Sequence, residues 1–168
     1  MCGDEADVLA GTRTDEQGNQ AKNELLAGGG NNETIKFENE LLKKKDTMKK
    51  KILLIDDKSA IGKVASAYLA ENYDLIYVEN PLMAMEWLEQ GNRPDLIISD
   101  LYMPHMTGDV FLKRIKEDEA LRTIPFVILS SEEDADRKIE LLAEGAADYI
   151  LKPFDPLELK IRVKKVIG

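Results

Sequence analysis

The stretch "LIISDLYMP", residues 96–104, opens with three branched aliphatics and ends on an aspartate, an aromatic and a Met-Pro pair. The aliphatic run is what a strand buried on both faces requires. An isolated buried charge is costly, so Asp100 at the tip of such a strand must be neutralised, exposed at a rim, or used. Its neighbours along the chain decide among these outcomes.

Short apolar runs alternate with amphipathic stretches on both sides of it. "KILLI" (51–55) reads as a strand, and residues 59–71 follow with Ile61, Val64, Ala65, Tyr68 and Leu69 at helical spacing. A second strand is expected at 73–78, then a helix over 81–89 with proline in its first turn. The third strand spans 94–100, and a helix over 108–117 runs along Val110, Phe111, Leu112 and Ile115. A fourth strand covers 124–130, and a fourth helix over 134–144 stops at Gly145. The fifth strand is 147–151, and the last helix, 155–167, is opened by Asp155 and Pro156. Strand–helix repeated five times with short connections implies parallel pairing through right-handed crossovers. With helices on both faces the fold class is α/β, a doubly wound parallel sheet. Ligands in such folds gather at the carboxyl ends of the strands.

Residues 1–47 have a different composition. They are rich in Gly, Asn, Asp, Glu, Thr and Gln, with a "GGGNNE" break at 28–33, and offer little apolar area to offset ordering entropy. They are expected to form an N-terminal extension, disordered or weakly helical, with a helix at 33–45 carrying Ile35, Leu41 and Leu42 toward one side. The domain proper is expected over 48–168, with Met48 having the character of a natural start. The net charge of −9 over 168 residues opposes non-specific attraction to DNA or an anionic membrane, so neither direct DNA binding nor membrane association is expected. Cys2 is the only cysteine, which rules out an intramolecular disulfide and fits a reducing, cytoplasmic location. Neither an apolar signal core nor a run of about 20 apolar residues is present.

Polar groups gather at the strand tips. Asp56 and Asp57 end the first strand, Asp100 the third and Ser130 the fourth, and the fifth runs into Lys152. In a parallel sheet these tips share one rim, so the groups converge. Three carboxylates together call for a cation, and oxygen-only ligands with open positions favour Mg²⁺. A carboxylate, a divalent metal, a lysine and a hydroxyl are the parts needed to move a phosphoryl group onto an aspartate. His105, the only histidine, reads as an exposed loop residue rather than a ligand. Trp87 and the methionines read as packing residues.

The motifs "ILLIDD", "DLIISDLYMPHMTG", "FVILSS" and "GAADYILKPF" together resemble the response-regulator receiver domain of two-component signalling over about 49–167. The resemblance implies a flavodoxin-like (βα)5 fold with strand order 2-1-3-4-5, the class of parallel sheet that binds ligand at its switch point. It implies Asp100 as phosphoacceptor. Mg²⁺ would be held directly by Asp57, Asp100 and the backbone carbonyl of Tyr102, and through water by Asp56. Lys152 would contact the phosphoryl oxygens, and Ser130 would hydrogen-bond them in the active state. Tyr149 matches the aromatic switch position, expected to rotate inward on activation, and Lys152–Pro153 matches a cis peptide. Ser130 replaces the commoner threonine, Ser131 stands where alanine is frequent, and Tyr102 and Glu132 occupy positions that tune dephosphorylation. The implied function is that of a stand-alone, chemotaxis-regulator-like receiver. It would take its phosphoryl group from a histidine kinase or histidine phosphotransfer protein, act on no separate substrate, and switch a surface of the fourth helix, fifth strand and fifth helix. That surface would meet a protein target or a second copy. A degenerate receiver is disfavoured by the intact acids, Ser130 and Lys152. An aspartyl-phosphate phosphohydrolase carries Asp-x-Asp after its first strand, whereas Asp56 and Asp57 are adjacent.

Overall fold

The computed structural model describes residues 32–46 and 48–168, in two compact units divided after Met48. The first contains the N-terminal helix Asn32–Asp46, on which Ile35, Phe37, Leu41 and Leu42 are all exposed. The disorder expected for 1–31 lies outside the described residues.

The second unit alternates strand and helix: β1 (Lys51–Ile55), α1 (Ser59–Leu69), β2 (Asp74–Val78), α2 (Pro81–Glu89), β3 (Leu96–Asp100), α3 (Gly108–Glu117), β4 (Phe126–Ser130), α4 (Ala135–Ala143), β5 (Asp148–Leu151) and α5 (Pro156–Ile167). The five strands form one parallel sheet in the order β2-β1-β3-β4-β5. Helix termini follow their capping chemistry. The side chains of Asn80, Asp134 and Asp155 accept hydrogen bonds from the N–H groups of Leu82, Asp136 and Leu157, at 2.8, 2.9 and 2.8 Å. Pro81 and Pro156 take the first helical turn, where their missing N–H costs nothing. Four strands start later than the sequence suggested: β2 and β5 by one residue, and β3 and β4 by two, with β4 beginning at Phe126 just after Pro125, which has no N–H for the ladder.

Both faces of the sheet are covered. Ile52, Leu54, Ile98, Leu129 and Ile150 pack with Ala65 and Leu69 of α1 and Leu159 and Val163 of α5. On the other face Leu53, Ile55, Ile97, Phe126 and Ile128 pack with residues of α2, α3 and α4. Within that core Phe111 meets Phe126 edge-to-face at 5.6 Å. The interior strands β3 and β4 are buried along their whole length, whereas the edge strand β2 is only half-buried after its exposed first residue. Burial on both faces makes the register stiff, and this fixes where each strand tip ends. Among the described residues no helix is long and apolar enough to cross a membrane.

Candidate functional site

Parallel register brings the tips of β1, β3 and β4 together at one rim, with Ile55 opposite Ser99 and Asp100 opposite Leu129. Beyond β1 the chain turns sharply, because Asp56 Oδ1 accepts a hydrogen bond from the Lys58 N–H at 2.9 Å. The result is a cluster of Asp56, Asp57 and Asp100 in which one carboxylate oxygen from each lies within 4.8 Å of the others. Asp56 and Asp100 are buried and Asp57 is exposed. At 4.8 Å and an effective dielectric near 20, each like-charged pair repels by about 3–4 kcal/mol.

Lys152, delivered by the end of β5, answers part of that repulsion. Its ammonium lies 2.5 Å from Asp56 Oδ2 and 3.1 Å from Asp100 Oδ1. Burial pushes the Asp100 carboxyl above its ordinary range; Lys152 opposes this, while Asp56 and Asp57 add to it. One lysine therefore leaves the three acids short of positive charge. Every donor in the cluster is a carboxylate oxygen, with no nitrogen or sulfur, and an exposed acid leaves the site open on one side. That donor set fits a hard divalent cation such as Mg²⁺.

Three further residues named from the sequence meet at Glu132, in the loop between β4 and α4. Ser130 is buried at the tip of β4, and its Oγ accepts a hydrogen bond from the Glu132 N–H at 3.0 Å. Tyr149 donates its hydroxyl proton to the Glu132 carbonyl at 2.8 Å. The Tyr102 side chain is exposed, and its hydroxyl donates to Glu132 Oε2 at 2.6 Å. Tyr149 is 2% exposed, so its ring is buried in this structure. Its phenol has a partner there, which removes the penalty for burying it. His105 is exposed and outside the acid cluster, at a positive φ of 73°. The Lys152–Pro153 peptide is cis.

Sequence reading missed several supports. Gly108 opens α3 so close to the end of β3 that a Cβ there would stand 2.4 Å from the Asp100 carbonyl oxygen. Only glycine permits that approach, and the Gly108 N–H uses it to donate to the Leu101 carbonyl at 2.7 Å. Arg137 of α4 pairs with Asp109 of α3 at 2.6 Å, a link between helices that no local motif announces. The phenol of Tyr77, on β2, donates to the Asp56 carbonyl at 2.7 Å.

Comparison with known proteins agrees with this fold. The sequence profile of the response regulator receiver domain matches residues 52–164. The two-component response regulator ORR5 of Oryza sativa subsp. japonica is 36% identical over 117 residues, which is 69% of this chain and 87% of that protein. The chain is 37% identical over 119 residues to histidine kinase P4 of Formosa agariphila, but the match takes 71% of this chain and spans only 9% of the kinase. Among solved structures, the chemotaxis response regulator CheY4 of Vibrio cholerae superposes with a TM-score of 0.66 at 31% identity, covering 71% of this chain and 99% of that one.

Proposed function

Because this chain belongs to the response-regulator receiver family, we propose that it accepts a phosphoryl group from a phosphohistidine onto Asp100 and thereby switches a protein-binding surface. The observation that carries the reading is the meeting of Asp56, Asp57 and Asp100 within 4.8 Å beside the Lys152 ammonium. In the transfer an Asp100 carboxylate oxygen forms the new P–O bond. The P–N bond to the donor imidazole breaks, and the nitrogen keeps the electron pair. Asp57, Asp100 and the Tyr102 carbonyl would hold Mg²⁺ directly, with Asp56 acting through water. When bound, the cation would offset negative charge on the carboxylates and the arriving phosphoryl oxygens. Lys152 stands 3.1 Å from Asp100 Oδ1 and follows the phosphoryl oxygens as they arrive.

Ser130 converts the chemistry into movement. Its hydroxyl now serves the Glu132 N–H, and turning it toward the phosphoryl group leaves that N–H without its partner. The loop at Glu132 then shifts, carrying the carbonyl that holds Tyr149. Both ends of this coupling adjoin α4 and β5. Together with α5 these elements present Ile139, Leu142, Leu151, Leu157 and Ile161 to solvent, the surface through which a target or a second copy binds. The chain thus acts as a switch that catalyses only its own phosphorylation and hydrolysis, in the cytoplasm, with a histidine kinase or phosphotransfer protein as donor. The test is intact-mass spectrometry after incubation with Mg²⁺ and acetyl phosphate. One phosphoryl group should add to the wild type and none to Asp100→Ala. Equal addition to both refutes the reading.

A further inference from the structure

Gly62 is the fourth residue of α1. It has no turn to make there, and glycine inside a helix is less favourable than alanine, so its presence calls for a packing reason. The reason stands on β2. A Cβ at position 62 would lie 2.8 Å from Tyr77 Cε1 and 2.9 Å from both Cδ1 and Cε2. Three ring carbons from both edges at almost one distance mean that the Tyr77 ring lays its face on the glycine backbone. A side chain at 62 would lift the ring away.

Seated there, the ring directs its hydroxyl to the Asp56 carbonyl at 2.7 Å. The β1–β2 ladder ends just before this point. The Asp56 N–H still reaches the Val78 carbonyl at 3.2 Å, and then the chain turns through the Lys58 N–H to Asp56 Oδ1 bond. The Tyr77 phenol therefore supplies, from a side chain, the bond that β2 backbone would have given had the ladder continued. The Asp56 carbonyl and the Asp57 N–H belong to one planar peptide unit. Holding the carbonyl fixes that plane, and the plane sets the direction in which Asp57 leaves the strand.

We infer that Tyr77, seated on Gly62, is a positioning residue for the cation site: its hydroxyl pins the Asp56–Asp57 peptide so that the exposed Asp57 carboxylate faces Asp100. The inference rests on the proposal that Asp57 is a metal ligand. Asp57 is the acid that most needs such help. The Asp56 side chain is tied to Lys58 N–H and Lys152, and Asp100 is buried against Lys152, while Asp57 is exposed on the turn. Partners behind the ligands typically change metal affinity by about 10–100-fold when removed.

The test titrates MgCl₂ into full-length wild type, Tyr77→Phe and Gly62→Ala by calorimetry, and follows acetyl-phosphate phosphorylation against Mg²⁺ concentration. Tyr77→Phe keeps the ring on its seat and removes one hydroxyl. Its Mg²⁺ dissociation constant should rise about tenfold, with a matching shift in half-saturating Mg²⁺ and an unchanged rate at saturation. A merely structural tyrosine would not split the two kinetic quantities in this way. Gly62→Ala displaces the ring and should show the same shift, and the double variant should show no more than the larger single effect. If wild type binds Mg²⁺ and Tyr77→Phe binds it equally well, the positioning role is overturned and the phosphoacceptor reading stands. If wild type itself binds no Mg²⁺, both fall together.

Discussion

Neutralising Lys152 tests the electrostatics of the rim most severely. In Lys152→Met the side chain keeps most of its length and loses its charge. The ammonium lies 2.5 Å from Asp56 Oδ2, on a side chain with no exposure, and 3.1 Å from Asp100 Oδ1, on one 9% exposed. At an effective dielectric near 20, each contact represents roughly 5–7 kcal/mol of gross attraction, offset by several kcal/mol for dehydrating the ammonium. Removing one partner of so buried a set leaves two carboxylates uncompensated, and the net loss is about 3–5 kcal/mol. Burial already holds the Asp100 carboxyl above its usual range, and Lys152 opposes that shift. The variant therefore protonates Asp100 more readily, which blunts the loss in acid, so the measurement belongs at pH 8. Urea unfolding in EDTA should show the full deficit, and the same experiment in excess Mg²⁺ a smaller one, because the uncompensated carboxylates of the folded variant bind the cation more tightly than the wild-type site does. The exposed surface control Lys138→Met should change little. A deficit below about 1 kcal/mol in EDTA, or one untouched by Mg²⁺, would refute the claim that Lys152 stands in for missing positive charge.

Asp57→Asn should weaken Mg²⁺ binding, followed by calorimetry, more than Asp56→Asn does, since Asp56 is already engaged by Lys152 and Lys58; equal or reversed losses contradict the ranking. Gly108→Ala should destabilise the domain by about 1–3 kcal/mol in thermal unfolding and slow phosphorylation, because its Cβ meets the Asp100 carbonyl at 2.4 Å. Burial pushes the Asp109 carboxyl up, but hydrogen bonds from Thr107, Arg137 and the Val110 N–H outweigh it and hold the group below its usual range. Such a depressed acid stabilises the fold above its unfolded value of about 3.9 and ceases to do so as pH falls through its folded value. Arg137→Gln should therefore cost about 1 kcal/mol near pH 7 and lose that difference in acid, as read by urea midpoints across pH; a pH-independent deficit contradicts the pairing.

The order of elements could be read from the sequence because each signal was local. "KILLI", "LIISD" and "FVILS" are strands that burial on both faces requires, and Asn80, Asp134 and Asp155 mark helix starts by their own capping chemistry. The acids could be read for a related reason: parallel topology alone carries Asp56, Asp57 and Asp100 to one rim. What stayed hidden depends on side chains meeting across elements. Nothing near position 77 shows that its hydroxyl reaches the Asp56 carbonyl, though a glycine inside α1 hinted at a close neighbour. The Arg137–Asp109 pair joins residues 28 apart on two helices, whose spacing is set only once both pack on the sheet. The inward rotation of Tyr149 is an expectation that rests on the resemblance to receiver domains and on no signal in the local sequence. The buried position of Tyr149 here follows from a particular partner, the Glu132 carbonyl.

The central claim is that Asp100 carries the phosphoryl group, and borohydride trapping tests it at the level of the atom. Reduction of an aspartyl phosphate leaves homoserine, so wild type treated with Mg²⁺, a phosphohistidine donor and then borohydride should yield a peptide with homoserine at position 100 and unaltered residues at 56 and 57. Homoserine at 56 or 57 instead, or an unchanged peptide beside a protein that has gained a phosphoryl mass, would contradict the account.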